Sequence, residues 1–150
     1  MESEPVITSV LLADGVIMEH GTGKFNLIGC FNMLAAPKFP VTHPGFFAVL
    51  GITNLQGQMV KLTITIRIED PASGHVLAST AGILQLTFLP GMDSAKMLID
   101  LPVRFPPVVF PNPGFYSIVV LCNNEPLEKR NLFLQQVDPP PQLKPPPPQG

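Results

Sequence analysis

The chain has 150 residues, 45% hydrophobic and 13% charged, with 19 prolines, no tryptophan and a formal net charge of −2. That length suits one domain, and a chain this apolar buries enough surface to offset its ordering entropy, which excludes disorder throughout. Nine Lys and Arg against eleven Asp and Glu leave no basic stripe, which argues against nucleic acid as a partner.

The start, Met1-Glu2-Ser3-Glu4, is acidic where a secretory signal needs positive charge. The longest run without polar side chains, residues 44–52, is far shorter than the ~20 residues of a membrane-spanning helix. The expectation is a cytoplasmic protein with no membrane contact.

In chain order, the first apolar segment covers residues 6–13, and residues 15–19 are compatible with its continuation past a glycine bulge. Gly21-Thr22-Gly23 separates it from a second strand at 25–31. Proline-marked residues 37–44 precede a third at 46–53. The clearest strand is 61–69, where Leu62, Ile64, Ile66 and Ile68 share one face and Lys61, Thr63, Thr65, Arg67 and Glu69 the other. Asp70-Pro71-Ala72-Ser73-Gly74 is a turn by composition, and 75–80 returns as the hairpin partner. Further strands are expected at 83–89, 96–101, 115–122 and 132–137, with turn chemistry at Pro90-Gly91, residues 111–114 and Asn123-Asn124. No window holds a helical period over three turns. The pattern predicts an all-β domain over residues 1–137, an antiparallel two-sheet β-sandwich, immunoglobulin-like or related, with eight or nine strands and essentially no helix.

Residues 138–150 are different. Seven of these thirteen are proline, which neither donates to a ladder nor continues a helix. They are expected to form a disordered, solvated Pro-rich tail outside the fold.

Pro113-Gly114-Phe115-Tyr116 opens a strand with an aromatic hydroxyl close to its start. Gly114 and Tyr116 are therefore assigned to a structural corner, in which a tyrosine hydroxyl bonds back to upstream backbone. The strand is apolar on both faces, so it is either covered twice or lies in a subunit contact.

The segments Ile7-Thr8-Ser9-Val10-Leu11-Leu12-Ala13-Asp14, Val16-Ile17 and Thr22-Gly23-Lys24-Phe25-Asn26-Leu27-Ile28-Gly29 resemble a bacterial family of short all-β proteins with a domain-of-unknown-function label. Phe39-Pro40, His43-Pro44-Gly45 and the Pro-Gly-Phe-Tyr element are similar to its later features, so the likeness covers roughly residues 5–137. It implies a bacterial, cytoplasmic β protein and brings no activity, ligand or site residue with it.

Candidate chemistry is sparse. Gly21-Thr22-Gly23-Lys24 lacks the earlier glycine of a phosphate loop, with Met18 in its place, and Phe25 stands where a Ser or Thr is needed. His20, His43 and His75 share no metal-ligand spacing, and each falls in a predicted turn, where a solvated histidine is ordinary. No serine lies in a nucleophile-elbow context. Cys30 and Cys122 read as small buried apolar groups, and Asp14 as a bend-former, although with Glu19 it could offer oxygens to Ca²⁺. No catalytic, cofactor-binding or metal-binding residue is assigned, and no cofactor is expected. The expected function is a non-enzymatic binding or assembly module, self-associating or bound to a protein partner, with any small-molecule ligand unknown. One alternative is a hydrolase or metal-dependent enzyme with a loop-built site, which requires two or more of His20, His43, His75, Asp14 and Glu19 to meet in a deep polar pocket. The other is an adaptor recruited through Pro145, Pro146, Pro147 and Pro148, whose P-x-x-P spacing suits aromatic grooves.

Overall fold

The computed structural model describes residues 4–139 and 148. Of the proline run, Pro145, Pro146 and Pro147 lie outside the described residues, and Pro148 is exposed. The described residues form eleven strands: β1 (Val6–Met18), β2 (Phe25–Phe31), β3 (Met33–Ala36), β4 (Val41–His43), β5 (Phe46–Thr53), β6 (Met59–Glu69), β7 (Val76–Thr87), β8 (Ile99–Phe105), β9 (Val108–Phe110), β10 (Gly114–Cys122) and β11 (Glu125–Gln136). The chain is all-β.

Three sheets are present: a four-stranded sheet in the order β2-β1-β5-β8, a five-stranded sheet in the order β3-β11-β10-β6-β7, and the pair β4-β9. This corrects the expected two sheets of eight or nine strands. The extra strands β3, β4 and β9 span only three or four residues each, too short to show a period. One ladder also departs from the antiparallel rule, because β3 runs parallel to β11. The only helical piece among the described residues is a single 3-10 turn at Ser94–Lys96, capped by the Asp93 carboxylate accepting from Ala95 N–H.

Alternation explains β6. Ile64, Ile66 and Ile68 are fully buried while Lys61 and Thr63 are exposed. Its neighbour β7 is one strand, where two were expected at 75–80 and 83–89. Gly82 does not interrupt it: it lies mid-strand without a positive φ, and a Cβ there would only touch the Val103 side chain at 3.7 Å. β7 passes close to β8 near this point, where Thr80 Oγ1 donates to Arg104 O at 2.9 Å. β8 itself starts later and ends later than expected. It tolerates Pro102 because it is an edge strand.

β11 begins seven residues earlier than its apolar pattern suggests. The Asn123-Asn124 turn sets its register, with φ of +49° and +69°, the geometry of a two-residue type I′ hairpin. That turn pairs Cys122 with Glu125 and carries polar residues 125–131 into the ladder. One core draws on the four-stranded and five-stranded sheets and on β9, through Leu50, Phe105, Ile66, Val120, Leu132 and Phe110 among others. Phe46 and Phe105 stack with centroids 5.0 Å apart.

Candidate functional site

Three places combine exposed or unsatisfied groups with defined geometry. The first lies where β1, β2 and β4 approach one another. Asp14 sits on β1, and Gly29 has φ +66°, a conformation that disfavours any side chain. A Cβ at Gly29 would stand 2.5 Å from Asp14 Oδ2, so glycine is required there twice over. The same carboxylate lies 3.8 Å from His43 Nε2. His43 is not the solvated turn residue its neighbours suggest. It belongs to β4, its side chain is 20% exposed, and its ring packs edge-on against Phe31 and Phe46 at 5.5 Å.

Nε2 of His43 is the one buried side-chain polar atom among the described residues with no hydrogen-bond partner. Burial pushes the imidazole pKa below 6.5, and the Asp14 carboxylate only partly opposes this. His43 is therefore neutral at neutral pH. No Ser, Thr or Cys among the described residues hydrogen-bonds either group, so the pair lacks the nucleophile of a triad. His20 and His75 are exposed turn residues elsewhere. Glu19 is occupied in its own hairpin, accepting from Thr22 Oγ1 at 3.4 Å and Asn26 Nδ2 at 3.3 Å. Two of the five residues named for a loop-built enzyme thus meet, and Asp14 and His43 line none of the main clefts. No group of three or more His, Cys, Asp or Glu among the described residues is placed to hold a metal.

The second place is an open cleft of about 620 Å³ bounded by the β1–β2 hairpin, β5 and the start of β8. Leu11, Phe25, Leu27, Val49, Leu98 and Ile99 supply apolar walls, and Lys24 and Asp100 supply opposite charges. Its residues come from four separate segments, which is why no local motif announced it. The two thiols do not pair. Cys122 is buried, and burial followed by the Glu4 carboxylate pushes its thiol pKa up. Cys30 is exposed, which corrects its reading as a core group: it lies on the edge strand β2.

The third place is the outer face of the five-stranded sheet. Tyr116 points to the core side, 4% exposed, and its hydroxyl donates to Asn112 O at 2.6 Å while accepting from Asn112 N–H at 3.2 Å. Gly114, with φ +128°, starts the strand. On the opposite face of β10, Leu121 is 4% exposed, and Val119 stands in register between Arg67 and Lys129. Long side chains of that kind cover apolar neighbours with their stems. Phe115 is not covered. It is 61% exposed and pairs in register with Phe133, their ring centroids 4.8 Å apart, and Phe133 pairs with Met33, itself 50% exposed. The three form an apolar row across β10, β11 and β3. Phe115 could be suspected from its alternation. Met33 could not, because its place depends on the parallel β3–β11 pairing.

No helix among the described residues is long and apolar enough to cross a membrane. Among solved structures, the chain is similar to the Pseudomonas fluorescens alkylpurine DNA glycosylase AlkC bound to DNA containing an abasic site analogue. Identity there is 12%, with a TM-score of 0.45 over 89% of this chain and 31% of that one. A β-glucuronidase from glycoside hydrolase family 2 matches at 13% identity and a TM-score of 0.40, over 69% of this chain and 12% of that one. An immunoglobulin-like protein from Pseudomonas aeruginosa matches at 12% identity and a TM-score of 0.32, over 89% of this chain and 98% of that one. The chain thus spans less than a third of the glycosylase and of the glucuronidase. No curated protein matches it. The family expectation drawn from the N-terminal segments is met at the level of sequence: the chain belongs to the family of unknown function DUF6941, whose model matches residues 8–135.

Proposed function

We propose that this protein is a non-enzymatic binding and assembly module that associates with copies of itself through the outer face of its five-stranded sheet. The observation that carries this reading is Phe115, a 61% exposed aromatic at the end of an otherwise covered strand face and in line with Phe133 and Met33. Isolated exposed apolar groups are ordinary on protein surfaces, whereas a contiguous aromatic row marks a contact. In the same reading the four- and five-stranded sheets are the two layers of a sandwich, supported by the core to which both contribute. The exposed free thiol of Cys30 suits a reducing compartment such as the cytoplasm. Light scattering on the full chain across a micromolar concentration series tests the proposal. Mass rising with concentration is expected, and an unvarying monomer defeats it.

A second reading, a hydrolase with a loop-built site, draws on the Asp14–His43 approach. It requires hydrolysis of activated esters that His43→Gln abolishes. Equal background rates for the two proteins would remove it.

A further inference from the structure

This inference rests on the self-association reading above and names the segment that passes between copies. We propose that the Met33–Phe133–Phe115 row receives the proline run Pro145–Pro148 of a second copy of the chain.

The row selects the kind of occupant. β10 and β11 are interior strands, flanked on both sides in the order β3-β11-β10-β6. Phe133 is paired on both sides, with Phe115 and with Met33, so no further strand can add between the three. An occupant must bind through side chains alone. A proline run is built for that: it presents flat apolar rings and bare carbonyls and has no N–H to satisfy. Its complement is an aromatic surface with side-chain donors beside it. Phe115 and Phe133 provide the rings, and Asn131 and Gln135, two residues either side of Phe133 and both exposed, provide amide donors on the same face.

The chain's own end supplies such a run. β11 holds it as far as Val137, whose N–H donates to Ala36 O at 3.0 Å. Thirteen residues follow, seven of them proline, a reach of roughly 40 Å at ~3.1 Å per residue. The self-association reading places that run on a neighbour's face, and Phe133 lies about 13 Å back along β11 from Val137. Three side chains are also too few to close a stable face-to-face dimer, which buries ~1,200–2,000 Å². Reciprocal exchange of two tails doubles the contact under one twofold axis.

The experiment compares the full chain with Phe115→Ala and with a quadruple tail variant (P145S, P146S, P147S, P148S) by analytical ultracentrifugation. A synthetic peptide of residues 138–150 is added as competitor. Both variants are expected to raise the dimer dissociation constant at least tenfold, and excess peptide to dissociate the wild-type dimer. If the tail variant dimerises like wild type while Phe115→Ala does not, this inference is overturned and the self-association reading survives. If the wild-type chain stays monomeric, the self-association reading and this inference both fall. Where it dimerises, peptide titrated onto the tail variant that shifts the Phe115 and Phe133 ring signals supports docking of the run at the row, and unmoved signals refute it.

Discussion

At the scale of single residues, His43 makes the protein sensitive to acid. Its folded pKa lies below the 6.5 of the unfolded chain because the ring is buried against Phe31 and Phe46. Below pH 6.5 the unfolded chain therefore binds a proton that the folded chain resists. Stability from this group is whole above 6.5 and is lost as pH falls from there toward the folded value. Urea denaturation at pH 7.5 and 5.5 is expected to show a loss at the lower pH that His43→Leu reduces. Asp14→Asn is expected to steepen the loss, since its carboxylate is the one group raising the His43 pKa. An equal pH slope in all three proteins would contradict this account. The neighbouring Gly29 tests the local geometry separately. Gly29→Ala is expected to cost about 2–3 kcal/mol, part from the left-handed backbone, ~1–2 kcal/mol, and part from the contact with Asp14. In an Asp14→Ala background only the backbone part should remain, so a double-mutant cycle isolates the contact.

At the scale of elements, apolar strands between marked turns were legible, and short strands and polar strand segments were not. The bounds of β2 and β5 follow from apolar runs between glycine- and proline-rich punctuation. β6 follows from its isoleucine alternation. β11 shows what a pattern misses, because residues 125–131 are polar and enter the sheet only as the antiparallel partner of β10. β3, β4 and β9 each rest on a partner distant in sequence, so no window contains the reason they exist. The site fared likewise. Tyr116 and Gly114 stood out locally, while the Asp14–His43 approach and the placing of Met33 beside Phe133 are products of tertiary pairing. The Asn123-Asn124 turn offers a test of the view that it sets the β11 register. Asn124→Ala places an ordinary side chain at φ +69° and is expected to cost ~1 kcal/mol, whereas Asn124→Gly should be neutral or stabilising. Tyr116→Phe is expected to cost ~1 kcal/mol, since Asn112 is exposed and water can replace the lost hydroxyl. Thermal unfolding of the three variants reads both expectations.

At the scale of the whole molecule, the low charge fraction has two different causes that mutation can separate. Many apolar side chains fill the core shared by the large sheets, and others stay exposed, among them Phe115 on the outer face of β10. Phe46 belongs to the first set. It is fully buried, stacks on Phe105, and packs edge-on with Phe31 and His43, so it joins the four-stranded sheet to β4. Phe46→Ala is expected to cost about 3–5 kcal/mol through the lost transfer energy and the cavity left behind. It also removes one wall of the His43 site, so water reaching the imidazole should raise the histidine pKa toward 6.5 and flatten the acid sensitivity described above. Phe115→Ala, at a 61% exposed position, is expected to change stability by less than ~0.5 kcal/mol and to leave the pH slope untouched. Chemical denaturation of both variants at two pH values separates the roles. A large stability loss in Phe115→Ala would make the outer row part of the fold and leave the surface without its aromatic contact. An unchanged pH slope in Phe46→Ala would mean that the ring does not keep water from His43.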